Sequence, residues 1–191
     1  MNYPNGSSNK TTHLKSSSNR GMALEDDINI TNNYYQSSGI ANIHKKPTPV
    51  QIVRVDYPKR SAAKIVEAYF KLPSTTDYNG IYKGYYIDFE AKECGAIKSF
   101  PFSSIHKHQI NHLKSIIKLG GIGFIILRFT KLDETFLIEA EKFIYYYENT
   151  KRASMAYTWI KENGYLIPFN YIKPVDYLVV IDEILEEQHG K

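Results

Sequence analysis

The chain predicts a mixed α/β fold, a central β-sheet flanked by helices, and three observations point there. Segments of helical period alternate with segments of strand period along the chain. The 191 residues, 42% of them hydrophobic, suffice for one domain of ordinary size with a proper core. No internal repeat breaks this order.

Residues 1–20 are Ser, Asn, Thr and Lys with few apolar anchors, so they predict a flexible arm carrying Lys10, Lys15 and Arg20. A single domain over 21–191 follows. Its first helix runs from near Met22 to about Ser37, on a stripe of Leu24, Ile28, Ile30 and Tyr34 or Tyr35, and Gly39 stops it. Ile40 to Ile43 predicts a short strand. Pro47 and Pro49 then interrupt regular structure, Val50 to Val55 predicts an extended arm, and Pro58 ends it. Ser61 to Lys71 predicts a helix, with Ala62, Ile65, Val66, Ala68 and Tyr69 available for packing.

The segment Ser74 to Asp77 leads through the turn signal Tyr78-Asn79-Gly80 to a strand over Tyr86 to Lys92, with Lys83-Gly84 as a second turn pair. Ser104 to Leu119 predicts a helix capped by Ser103 or Ser104 and ended by Gly120-Gly121. Ile105, Gln109, Leu113, Ile116 and Ile117 share one face of it. Gly123 to Phe129 and Thr135 to Ile138 predict two strands about a turn at Lys131 to Glu134. Glu139 to Tyr147 and Val175 to Glu187 predict the remaining helices.

Composition narrows the setting. Cys94 is the one cysteine, so no disulfide closes within the chain, which fits a reducing cytoplasm. It predicts a loop residue after the strand rather than a nucleophile. No apolar run reaches the ~20 residues a membrane helix needs, and the polar N-terminus lacks the apolar core of a signal peptide. A soluble, cytoplasmic protein is expected. Net charge is +4. Lys45, Lys46, Arg54, Lys59, Arg60 and Lys64 face only Asp56 between residues 45 and 64. Such a stretch either neutralises phosphates or is a solvated surface segment.

The chemistry sits in Tyr86-Ile87-Asp88-Phe89-Glu90-Ala91-Lys92. Residues two apart on a strand share a face, so Asp88, Glu90 and Lys92 point one way and Ile87, Phe89 and Ala91 the other. Two carboxylates on a buried face are costly unless compensated, and a divalent metal compensates them. The lysine is then available to a developing phosphoryl charge. The bland alternative is a solvated face of surface ion pairs. His108 and His112 have the i, i+4 spacing of zinc ligands, yet no Glu follows His108 and no cysteine is near, so these residues and His106 are expected to border a cleft.

Asp77 followed by Glu90-Ala91-Lys92 resembles the acid and E-x-K of PD-(D/E)xK nucleases. Four longer segments resemble the RecU family of Holliday junction resolvases: Asn19-Arg20-Gly21-Met22, Leu24-Glu25-Asp26-Asp27-Ile28, His44 to Val53, and Ser74 to Gly80. The resemblance runs from about Asn2 to Asp182. It implies a restriction-endonuclease-like core with a projecting stalk inserted at about 45–70. It implies a Mg²⁺ site, open to Mn²⁺ as a substitute, at Thr75, Asp77, Glu90 and Gln109, with Lys92 as transition-state stabiliser beside Asp77 and Glu90. From the residues alone, Gln109 is as readily a satisfied core amide. Glu25 is an accessory candidate, and Asp88 stays outside the primary ligands. Lys45, Lys46, Arg54, Lys59 and Arg60 are the DNA-contact candidates. The resemblance further implies a homodimer that cuts four-way junctions in paired symmetric nicks, with RecA and the branch-migration machinery as candidate partners. A non-catalytic junction-binding accessory protein and another nuclease on the same core are the alternatives.

Overall fold

The computed structural model describes residues 22–71 and 75–189. The arm expected over 1–20 lies outside these residues, as does Ser74.

The first helix, α1, spans Met22–Ser37 and is followed by strand β1, Ala41–Lys45. Strands β2, Val50–Asp56, and β3, Lys64–Phe70, form a hairpin of their own. The main sheet resumes with β4, Tyr78–Tyr82, and β5, Tyr85–Cys94. A short strand β6, Ser99–Pro101, leads to helix α2, Lys107–Lys118. Strands β7, Ile122–Phe129, and β8, Glu134–Glu139, precede helix α3, Ala140–Asn149. Then come β9, Ser154–Ala156, α4, Tyr157–Asn163, β10, Tyr165–Ile167, and α5, Tyr177–His189.

Six strands form the central sheet in the order β1-β4-β5-β7-β8-β10. Among the described residues only the β5–β7 pair is parallel, and that pair requires a crossover, which α2 supplies. Each face of the sheet has its own core. Ile87, Phe89 and Ala91 of β5 pack with α1 and α5, whereas Cys94 of β5 and Ile125 and Leu127 of β7 pack with α2 and α3. The period-two pattern of β5 therefore sends its apolar residues to one core and turns Asp88, Glu90 and Lys92 toward α2. Phe89 anchors the first core, with ring centroids 4.8 Å from Tyr78, 4.6 Å from Phe124 and 5.0 Å from Tyr177. Burying such a side chain is worth about 1.5–3 kcal/mol.

Helix α1 is fastened at both ends. Its Leu24 amide, unpaired within the first turn, donates to Glu93 Oε1 of β5 at 2.9 Å. Tyr35 donates to Asp176 Oδ1 at 2.6 Å beside the start of α5.

Several sequence expectations are corrected. Ser61 to Lys71 is not a helix. After a 3-10 turn at Arg60–Ala62 it forms β3, antiparallel to β2. Ile65, Val66, Tyr69 and Phe70 are β-branched or aromatic, and a paired strand lets them sit on a pleated surface without crowding. Tyr78-Asn79-Gly80 is not a turn but the start of β4. Gly80 belongs there because a Cβ on it would meet the Asn42 carbonyl oxygen of β1 at 2.1 Å. The hairpin turn is Lys83-Gly84, both with positive φ (49° and 84°), the conformation of a two-residue turn matched to strand twist. Helix α2 starts after His106, not at Ser103 or Ser104, which lie in a 3-10 turn. On α1, Ile30 faces solvent, and the polar Thr31 and Asn32 take the buried seam. Their oxygens accept from the Val175 amide (3.1 Å) and the Tyr177 hydroxyl (2.5 Å). Cys94 is buried at the end of β5 rather than in a loop. Among the described residues no helix is long and apolar enough to cross a membrane.

Candidate active site

Strand β5 carries the acids, and its register with β4 supplies their neighbour. Tyr78 pairs with Phe89, so one step further Asp77 stands opposite Glu90. Asp88 and Glu90 are fully buried. Lys92 Nζ binds Glu90 Oε1 and lies 3.3 Å from Asp77 Oδ2. The structure thus brings Asp77, Glu90 and Lys92 to one point, although 15 residues separate the lysine from the first acid.

Burial pushes the Glu90 carboxyl up to about 8, with Lys92 pulling it back and Asp77 pushing it further. For Lys92, desolvation lowers the ammonium, but Glu90 and Asp77 outweigh it and leave the group above its ordinary value. Lys92 is therefore a fixed cation.

Gln109 of α2 is buried beside them. Its amide nitrogen donates to Glu90 Oε1 at 2.5 Å, and its carbonyl oxygen accepts the His106 amide at 2.8 Å, capping the helix. The Thr75 hydroxyl turns back onto the Thr76 carbonyl at 3.4 Å. Gln109 thus turns its amide nitrogen to Glu90.

One atom tests whether a cation fits. Glu90 Oε2 is buried without a hydrogen-bond partner. A buried carboxylate oxygen left unpaired is costly, and a hard divalent ion satisfies it. Two carboxylates suit Mg²⁺, which binds through few protein oxygens. The three imidazoles do not converge on a second centre. His106 and His108 stack at 5.4 Å, and His112 Nε2 lies 3.1 Å from Asp88 Oδ2.

Asp88 has a role that alternation along β5 did not disclose. Its carboxylate accepts from Lys46 Nζ (2.7 Å), from the Thr76 hydroxyl, from the Tyr86 hydroxyl (3.1 Å) and from His112. Lys46 Nζ is thus paired within the fold, with its side chain still part-exposed. Lys45 pairs with Glu25 at 2.5 Å, and both remain part-exposed. Arg54 and Lys59 are exposed on the β2–β3 hairpin, and Arg60 begins its 3-10 turn. Leu24, Glu25, Lys92, Glu93 and Thr130 border a groove of about 330 Å³ that opens beside the lysine.

Two acids and a lysine are thus gathered where the central strands of a mixed, helix-flanked sheet meet. The chain belongs to the RecU family: the family model described as Recombination protein U matches residues 19–183. The Holliday junction resolvase RecU of Oceanobacillus iheyensis is 54% identical over 194 residues, covering 96% of this chain and 99% of that protein. The protein of the same name in Lactococcus lactis is 49% identical over 183 residues, covering 95% and 86%. Among solved structures, an Archaeoglobus fulgidus Holliday junction resolvase, Hjc, aligns with a TM-score of 0.40 at 8% identity, covering 71% of this chain and 86% of that one.

Proposed function

We propose that this chain is a Mg²⁺-dependent endonuclease that resolves four-way DNA junctions by paired symmetric nicks. The observation that carries the reading is the unpartnered Glu90 oxygen beside Asp77 and Lys92, in a chain whose relatives are named as junction resolvases. Asp77 and Glu90 would hold the ion. When bound, it supplies charge neutralisation and a more acidic water. Mn²⁺ satisfies the same oxygen donors.

The protein's own groups do the rest. Lys92, held between the two acids, directs its ammonium at the charge that develops on the phosphoryl oxygens as water attacks and the 3′-oxygen leaves. A fixed cation needs no reorganisation at that moment, so it acts more strongly than a mobile surface charge. Glu90 is held in turn by Gln109, which keeps its carboxylate aimed at Asp77.

Both faces of the β2–β3 hairpin are exposed, including Val50, Ile52, Ile65, Tyr69 and Phe70. A two-stranded hairpin on its own is marginal in water. We assign it as the stalk that enters the open centre of a junction, with Arg54 and Lys59 toward phosphates. Two opposed cuts need two sites, which a two-fold homodimer provides. This chemistry belongs in the cytoplasm with the chromosome, where RecA and the branch-migration machinery act on the same intermediates.

Gel analysis of cutting on a four-way junction and on linear duplex, across a Mg²⁺ series, tests the reading. Paired nicks on the junction, lost in Asp77→Ala while binding persists, are expected. Binding without cutting in both Mg²⁺ and Mn²⁺ would leave only the accessory-protein reading.

A further inference from the structure

Asp88 lies on the same face of β5 as Glu90 and is fully buried, yet its lone pairs are spoken for. A carboxylate has about four acceptor positions. Oδ1 takes the Thr76 hydroxyl, and Oδ2 takes Lys46, Tyr86 and His112. The direction of each bond follows from the donors. Lys46 can only donate, and it reaches Thr76 Oγ1 at 2.9 Å, so the single Thr76 proton goes to Asp88. Tyr86 accepts from Asn79 at 3.0 Å and passes its own proton to Asp88. Four donors thus converge on Asp88, three of them on Oδ2, and engage it with the protein itself.

What Asp88 holds is more informative than what it lacks. The stalk excursion leaves the core after Lys46 and returns at Thr75 and Thr76. Lys46 and Thr76 are both gripped by Asp88, and Lys46 also grips Thr76. The Lys46 amide donates to the Asp77 carbonyl at 2.8 Å, one rung beyond the last β1–β4 pair. Asp77 is therefore tied on both sides, through its own carbonyl to Lys46 and through its neighbour Thr76 to Asp88.

Resting on the nuclease reading above, we propose that Asp88 and Lys46 are positioning residues: they hold Asp77 against Glu90 and transmit the posture of the stalk roots to the metal-holding acids. Partners of this kind, acting through a ligand, commonly change metal affinity or activity by about 10–100-fold. A small displacement of a reacting group costs about 10²-fold in rate.

The test uses the full chain with Lys46→Met, Lys46→Arg, Asp88→Asn, Thr76→Val and Asp77→Ala. Three quantities are read: the Mg²⁺ concentration at half-maximal thermal stabilisation without DNA, the single-turnover cutting rate, and junction affinity. In Lys46→Met and Asp88→Asn the Mg²⁺ midpoint should rise about tenfold or more and the rate fall about 10²-fold. Junction affinity should stay within about threefold. Lys46→Arg should recover most of the Mg²⁺ midpoint, and the Lys46→Met/Asp88→Asn double variant should lose little more than either single one. Should Lys46→Met not fold, Thr76→Val, which removes only the bridging hydroxyl, carries the same expectation. The proposal is overturned if the folded variants are merely less heat-stable with an unchanged Mg²⁺ midpoint. It is equally overturned if Lys46→Met loses junction affinity alone, which would make Lys46 a DNA contact. An Asp77→Ala protein that still cuts would sink the nuclease assignment itself, a result distinct from either.

Discussion

Replacing Glu90 by Gln should make the metal-free protein less sensitive to pH. In the folded state burial lifts the Glu90 carboxyl to about 8, whereas in the unfolded chain it titrates near its ordinary 4.5. Below about 4.5 both states hold the proton and nothing is lost. Between 4.5 and 8 the folded protein still holds a proton that the unfolded chain has released, so stability falls as pH rises. The slope reaches at most about 1.4 kcal/mol per pH unit. The Lys92 and Asp77 charges beside Glu90 make that figure a ceiling. From pH 5.5 to 8 the loss is up to about 3 kcal/mol, and at about 2–4 °C per kcal/mol for a chain of this size, Tm falls by up to about 10 °C. Mg²⁺ displaces the proton and removes the penalty, so the Tm gain on adding Mg²⁺ should grow with pH across the same window. Differential scanning fluorimetry of the wild type and Glu90→Gln, with and without Mg²⁺, measures both trends. Parallel Tm-versus-pH curves for the two proteins without metal, or a Mg²⁺ gain that is flat with pH, would refute the reasoning.

Lys92→Met should lower single-turnover cutting by about 10²–10³-fold at saturating Mg²⁺, with junction binding by gel shift nearly unchanged. A near-normal rate would show that the ammonium is not aimed at the reacting phosphate. Replacing residues 50–70 by a short Gly-Ser turn should abolish the preference for junction over duplex yet leave slow Mg²⁺-dependent nicking. It should shift Tm little, because both hairpin strands are exposed along their length. Phe89→Ala should cost about 3–5 kcal/mol in urea unfolding, since it empties the space between Tyr78, Phe124 and Tyr177. A loss below 1 kcal/mol would mean that this core is loosely packed.

Much of the site was legible because it depends on short-range geometry. The two-residue period of a strand is a property of the backbone, so Asp88, Glu90 and Lys92 share a face whatever lies across from it. The end of α2 before Gly120 followed from a similarly local signal. The stretch 64–70 was misassigned because Ile65, Val66 and Tyr69 fit either period. Only pairing with 50–56 settles it, and that pairing spans an intervening turn.

Sequence by itself determined the class of fold, the acid-bearing face of β5 and membership of a family. The tertiary structure alone decided which charges meet. Asp77 faces Glu90 only because the two-residue Lys83-Gly84 turn sets the β4–β5 register. Lys46 looked like one more cation in a basic run, yet it closes on Asp88, 42 residues away. Periodicity is written by steric rules between neighbouring residues. The partner of a buried charge is chosen by whichever distant segment the sheet brings within about 3 Å, and no local pattern records that choice.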